Sequence, residues 1–288
     1  MESTLSPPLI VPPRNGLPLL LSIPHSGREY PDWLLAEARH GRRALASLED
    51  PLVDRLAWRA IAAGYGAVIA RAPRGAIDCN RSVAERDPAA IVADPVTREG
   101  SLPVGPRARH GLGIVASRTQ HHGALWRHPL SAERFAQRRA AVYDPYHCAI
   151  SDGLEALLAA HGTALLLDLH SMPPRGERAA RLIVGNRHGA SAAPDLAHAA
   201  TRIAEQAGFR AALNDPYAGG HIVERHGRPG AGVHALQIEI DRSAYLARDL
   251  ASPGAGFDRI SLLVLRLAEE MAMAVGGFGS TMTAIAAE

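Results

Sequence analysis

Two histidines stand where short apolar runs give way to polar residues. Leu19–Ile23 is apolar apart from Ser22 and breaks into Pro24-His25-Ser26-Gly27. Ala164–Leu167 is apolar and leads into Asp168, Leu169, His170 and Ser171. Runs of this length read as buried strands, and the carboxyl ends of parallel strands are where open α/β sheets place their chemistry. Between the two histidines in sequence lies a carboxylate pair, Glu49-Asp50, just ahead of Pro51. Two imidazoles and either carboxylate leave a fourth position open, which is the ligand pattern of a catalytic zinc site. Such an ion brings the pKa of bound water near neutrality and polarises a carbonyl. The reaction also needs a base. Glu239 is the candidate, because Gln237, Glu239 and Asp241 share one side of an alternating run whose other side carries Leu236, Ile238 and Ile240. Asp168 lies one pleat before His170 on the same face and can orient or supplement that ligand.

Each of these residues also has a plain structural reading. Asp168 and His170 make a satisfied polar pair at a strand end. Glu49 and Asp50 make a helix cap with a first-turn carboxylate. Glu239 makes a surface carboxylate on an edge strand. Spacing alone does not decide between the readings, since the chain has no His-Glu-x-x-His helix. His221 with Glu224 matches His-x-x-Glu, but in a Gly-rich polar loop, 214–229, where nothing in the pattern would hold the pair. A serine hydrolase fits less well, because there is no Gly-x-Ser-x-Gly elbow. Cys79 has no base near it in sequence.

A second set of chemical residues gathers in Pro73–Arg81, where Arg74, Asp78, Asn80 and Arg81 lie within nine residues. Guanidinium binds carboxylate bidentately, so an Arg beside an Asn suits recognition of a substrate carboxylate. The plain alternative is a surface salt-bridge loop of little energetic weight.

The elements that must position these residues follow from the same patterns. Strands are predicted at 19–23, 67–70, 163–168, 181–184, 208–213 and 233–241. Helices are predicted over 31–39, 47–63, 131–161 with a break or kink at Asp144-Pro145, 192–207 and 258–275. Strands and helices alternate, which predicts an α/β fold with a mainly parallel mixed sheet flanked by helices. The expected organisation is a proline-rich extended arm at 1–18, a single domain at 19–276 and a flexible tail at 277–288. Residues 82–130 form a long Pro-, Gly- and Arg-rich segment, of the kind that is more often functional than accidental, and it can fold over a site. His110, His121, His122 and His128 in it read as solvated.

Composition narrows the chemistry. The chain has 288 residues, 47% hydrophobic and 21% charged, with a net charge of +2, which gives no reason to invoke nucleic acid or an anionic membrane. All 31 basic residues are arginine. Schiff-base lysine, pyridoxal-phosphate attachment and the P-loop lysine are thereby excluded. Two cysteines are too few for a disulfide framework or a zinc–thiolate site. The start of the chain has no basic segment followed by an apolar run, and no apolar stretch approaches the ~18 residues of a span. The expectation is a cytoplasmic protein.

Six blocks in order carry a family resemblance: Ser22-Ile-Pro-His-Ser-Gly27, Glu49-Asp-Pro-Leu-Val-Asp54, Ile77-Asp-Cys-Asn-Arg81, Leu167-Asp-Leu-His-Ser171, Ala218-Gly-Gly-His-Ile222 and Val233-His-Ala-Leu-Gln-Ile-Glu239. Together they resemble the N-formylglutamate amidohydrolase family, and Gly111–Val115 through His128–Leu130 resembles its middle segment. The resemblance implies a zinc-carboxypeptidase-like (phosphorylase/hydrolase-like) fold and hydrolysis of N-formyl-L-glutamate to formate and glutamate in histidine degradation. It implies Zn2+, one per chain, held by His25, by Asp50 in preference to Glu49, and by His170. The Asp-x-Asn-Arg element is also similar to the substrate clamp of aspartoacylases. That similarity implies that Asn80 and Arg81 hold a substrate carboxylate, that Arg74 polarises the scissile carbonyl, that Glu239 is the base, and that His221 and Arg225 line the substrate pocket. The implied partner is a small N-acyl amino acid. One block departs from the pattern: glutamate-specific members carry Thr-Arg-His-Tyr after Gly-Gly-x-Ile, and this chain has Val223-Glu-Arg-His226. Two other functions stay open beside this one. The same site can act on another N-acyl amino acid or a formylated peptide, or the scaffold can bind a ligand without turning it over.

Overall fold

The structure, a computed structural model, describes residues 4–92 and 105–285. Residues 1–3 of the arm, 93–104 of the long segment 82–130 and 286–288 of the tail lie outside the described residues. The chain groups into two compact units. One comprises Met1–Leu9, Pro24–Glu49 and Ile69–Cys148, the other Ile10–Ile23, Asp50–Val68 and Ala149–Glu288.

The strands in chain order are β1 (Leu9–Val11), β2 (Leu19–Ile23), β3 (Gly66–Ile69), β4 (Arg118–Thr119), β5 (Gly123–Ala124), β6 (Ala164–Met172), β7 (Leu182–Gly185), β8 (Ala211–Leu213) and β9 (Val233–Asp241). Seven of them form one sheet in the order β1-β3-β2-β6-β9-β7-β8, and β4 pairs with β5 as a separate hairpin. The pairs β2–β6, β6–β9 and β7–β8 are parallel, whereas β7 runs antiparallel to β9. This is the mainly parallel mixed sheet that the alternation of elements predicts.

Burial follows from position in the sheet. Every residue of β6 is buried, and so is every residue of β9 except Glu239, which is half-buried. A strand covered on both faces reads as a continuous apolar run, so the polar residues of β6 and β9 stand out. β6 also runs to Met172, so Asp168 and His170 sit within the strand rather than after it. β9 lies between β6 and β7, which removes the edge-strand reading of Glu239.

The helices are α1 (Asp32–Glu37), α2 (Gly41–Ala46), α3 (Val53–Leu56), α4 (Trp58–Ala62), α5 (Pro106–Arg109), α6 (Ala132–Arg138), α7 (Asp144–His161), α8 (Pro194–Gln206), α9 (His221–His226) and α10 (Phe257–Ile285). α10 packs on α8, α4, α3, β6 and β2, and α8 on β7 and β8. Gly153 of α7 comes so close to β2 that a Cβ there would lie 3.0 Å from Leu20.

Five segments differ from their predicted form. The single helix expected over 47–63 is two short ones, because the chain turns at Pro51-Leu52 and Leu52 takes a left-handed conformation (φ 61°) that β- and γ-branched residues rarely adopt. The expected kink near Pro145 is a π-helical segment, Arg139–Tyr143, between α6 and α7. The loop 214–229 contains α9, so His221 and Glu224 do sit on a helix. α10 continues through Ile285, beyond Gly276 where the sequence pattern fades, and β1 lies within the expected arm.

Candidate metal centre

Three parallel strands align their polar residues in rows. Ser22 of β2 is the register partner of Asp168 of β6, which is the partner of Gln237 of β9. Two residues further on, His170 partners Glu239. Register partners on parallel strands project from the same face. The rows therefore gather two carboxylates, an amide, a hydroxyl and an imidazole on one side of β2, β6 and β9, toward their carboxyl ends.

The contacts within these rows fix His170. Its Nε2–H donates to Asp168 Oδ2 at 2.8 Å, and Ser22 Oγ donates to Asp168 Oδ1 at 2.7 Å. A carboxylate only accepts, so the proton belongs on Nε2 and Nδ1 is the nitrogen left to coordinate. Nδ1 lies 3.3 Å from Asp50 Oδ2. Burial alone would depress the imidazole pKa. The charge of Asp168, the hydrogen bonds to Asp168 and Asp50 and the charge of Glu239 outweigh it, and hold His170 well above its ordinary range.

Asp50 is held from its other side. Arg242, directly after β9, donates from Nη2 to Asp50 Oδ1 at 3.1 Å and from Nε to Ser171 Oγ at 3.1 Å. The Pro51 carbonyl accepts the buried Tyr245 hydroxyl at 2.7 Å. Glu49 is engaged elsewhere, accepting a hydrogen bond from Tyr30.

His25 follows β2 by two residues. Its Nε2–H donates to Asp78 Oδ1 at 2.8 Å, which leaves Nδ1 as its coordinating nitrogen by the same logic. The turn after it needs glycine: a Cβ on Gly27 would lie 2.0 Å from the Ala72 carbonyl oxygen. Asp78 is itself tied down, accepting from Arg74 Nε at 2.9 Å and from the Asn80 N–H at 2.8 Å. Burial would raise this carboxyl. The charges of Arg74, His25 and Arg81, with the hydrogen bond from His25, hold it well below the usual carboxylate range.

One ligand atom from each of His25, Asp50 and His170 lies within 4.8 Å of the other two, and all three residues are buried. Two imidazoles, each with its far nitrogen anchored on an aspartate, and one carboxylate make a donor set that fits a divalent transition ion.

The remaining candidates take these places. Glu239 stands beside His170, and its Oε1 accepts from Gln237 Nε2 at 2.9 Å. Gln237 Oε1 in turn accepts from the N–H of Gly220, the N-cap of α9, at 2.7 Å. Arg74 donates to Asp78 and, from Nη1, to the Leu48 carbonyl at 3.2 Å. Arg81 donates to the Leu112 and Asn80 carbonyls at 2.9 and 2.8 Å, and Asn80 is buried next to it. His221 opens α9, with Nδ1 3.6 Å from Glu224 Oε2, and Arg225 is on the exposed side of that helix. Burial and, after it, the charge of Glu239 push the Tyr217 phenol up.

Gln237, Asp78 and Arg242 were not singled out from sequence for these roles. Gln237 and Asp78 lie in the motif blocks, whereas Arg242 carries only the signal of following a strand that holds the candidate base.

A family model described as N-formylglutamate amidohydrolase matches residues 17–246. Among known proteins, N-formylglutamate deformylase of Pseudomonas aeruginosa is 28% identical over 239 residues, covering 81% of this chain and 84% of that protein. N-formylglutamate deformylase of Pseudomonas putida is 28% identical over 265 residues, covering 83% and 89%. The crystal structure of N-formylglutamate amidohydrolase from Ralstonia eutropha JMP134 superposes with a TM-score of 0.83 at 29% identity, over 94% of this chain and 100% of that one.

Proposed function

The chain belongs to the N-formylglutamate amidohydrolase family, and on that premise we propose that it hydrolyses N-formyl-L-glutamate to formate and L-glutamate, with zinc held by His25, Asp50 and His170. The observation that supports this is the buried cluster of those three residues, with Glu239 beside His170. A zinc ion bound there supplies Lewis acidity, which acidifies water and polarises an amide carbonyl. The protein's own groups do the rest. Glu239, the one half-buried residue of β9, accepts the proton of the attacking water and passes it to the leaving nitrogen. Gln237 donates to Oε1 of that carboxylate and so orients it. Asn80 and Arg81 hold the substrate carboxylate, which fixes the amide for attack. Arg74 lends charge to the carbonyl oxygen, and His221 with Arg225 borders the substrate. Residues 19–276 form the hydrolase domain in this reading, and the enzyme serves histidine degradation in the cytoplasm. Among the described residues, no helix is long and apolar enough to cross a membrane.

A second substrate reading rests on Val223-Glu-Arg-His226, where the chain departs from the glutamate-specific pattern. With Arg225 on the exposed side of α9, the site would then take another N-acyl amino acid. The test is metal analysis of the purified protein together with assays on N-formyl-L-glutamate, other N-acyl amino acids and a formylated peptide. A metal-bearing preparation that turns over N-formyl-L-glutamate supports the first reading. An active preparation free of transition metal removes the mechanism. Turnover of another member of the panel, with N-formyl-L-glutamate inert, removes the substrate.

A further inference from the structure

The loop that carries Arg74, Asp78, Asn80 and Arg81 has almost no regular structure of its own, yet its backbone must be placed accurately for those side chains to act. Three of its carbonyls are gripped by one stretch of helix. Arg138 Nη1 donates to the Ala76 carbonyl at 3.1 Å, His147 Nε2 to the Cys79 carbonyl at 3.0 Å, and the Tyr143 hydroxyl to the Arg81 carbonyl at 3.0 Å. All three donors are at most 2% exposed. The rings of Tyr143 and His147 pack against each other with centroids 4.3 Å apart, and the Arg138 guanidinium lies between the rings of Trp33 and Trp126 at 5.3 and 5.1 Å.

The spacing of the donors is not that of an α-helix. Residues one turn apart on an α-helix differ by three or four, which fits Tyr143 and His147 but not Arg138 and Tyr143, which differ by five. The π-helical segment Arg139–Tyr143 supplies the extra residue. Its Asp144 N–H reaches back five residues to the Arg139 carbonyl, and i→i+5 pairing stacks Tyr143 one turn above Arg138. In an unbroken α-helix Val142 would take that place and the Tyr143 hydroxyl would turn away from the loop.

We propose that the π-helical segment is a registration device for the substrate clamp, and that Tyr143 and His147 are positioning residues acting through the Arg81 and Cys79 carbonyls. This rests on the reading that Asn80 and Arg81 hold the substrate carboxylate. Loosening the grip at the Cys79 and Arg81 carbonyls then weakens substrate binding, while His170 keeps its anchor in Asp168, outside the loop, and Asp78 keeps a separate tie through its N–H to the Ile114 carbonyl.

The test compares Tyr143→Phe, which removes one hydroxyl and keeps the ring, and His147→Gln with Val142→Ala, a buried change in the same segment that touches no loop carbonyl. Each is assayed with the substrate that the wild-type enzyme turns over, well below its melting temperature, with metal content measured alongside. The expected result is a KM raised roughly five- to tenfold in Tyr143→Phe and His147→Gln, the size of one lost hydrogen bond. Turnover number should stay within about twofold, metal content should be unchanged, and Val142→Ala should keep the wild-type KM. An unchanged KM in both gripping variants overturns the proposal, as does an equal rise in Val142→Ala. A wild-type enzyme inert on every N-acyl substrate instead removes the functional reading on which the proposal stands.

Discussion

Glu239 is the register neighbour of His170 across β6 and β9, so the candidate base and a candidate metal ligand leave adjacent parallel strands on the same face. The pairing makes the base a fixture of the sheet and not of a loop. Glu239→Gln should therefore preserve the fold and the metal content while lowering turnover by about 10²- to 10⁴-fold. Metal analysis alongside single-turnover kinetics checks this, and wild-type turnover would take Glu239 out of its role.

Asp168 holds His170 through Nε2 and is itself held by Ser22. Asp168→Asn keeps the shape but can no longer fix the tautomer by acceptance alone. Metal affinity should fall about 10- to 100-fold, measured by competition with a chromophoric chelator. An affinity equal to wild type would reduce Asp168 to a packing residue.

Metal removal should lower stability as well as activity, since the three ligands converge only in the folded chain. At an ion concentration of 100 Kd the stabilisation is about 2.7 kcal/mol. A chelator should lower Tm reversibly, with Tm recovering when zinc is restored. A Tm indifferent to the chelator, in protein shown to have lost its metal, would contradict a folded-state metal site.

His226, buried in α9, gives a pH prediction away from the centre. Burial comes first, then the charges of Arg225, His221 and Arg228, and together they push its pKa down to about 3. The folded protein keeps this imidazole neutral, while the unfolded chain takes up a proton below about 6.5. Its contribution is thus complete above that pH and is lost as pH falls toward 3, at about 1.4 kcal/mol per unit. Urea midpoints measured from pH 7 to 4 should fall less steeply in His226→Gln. Parallel curves for the two proteins would contradict the assignment.

The sheet was legible in the sequence because buried parallel strands announce themselves as apolar runs. The interruptions in those runs, at Ser22, Asp168, His170 and Glu239, marked the chemistry. Local pattern could not reveal what depends on neighbours distant in the chain. β9 reads as half-polar, the signature of an edge, because the polar side of its alternation faces other polar groups instead of water. Asp50 looks like part of a helix cap until Arg242, 192 residues away, is seen to hold it. The π-helical segment has no residue signature at all. Pro145 hints at a break in the helix, but the extra residue becomes visible only from the three carbonyls it serves.

Cys79 gives the clamp loop a chemical reporter. Its thiol is 1% exposed, and its carbonyl is one of the three under the helix, whereas the other cysteine, Cys148, is exposed. With Cys148 replaced by serine, a thiol reagent can reach Cys79 only when the loop lifts. The rate of labelling then counts those openings directly, on the unmodified loop and without substrate. A bound acyl amino acid should slow it in proportion to the time the loop is held shut.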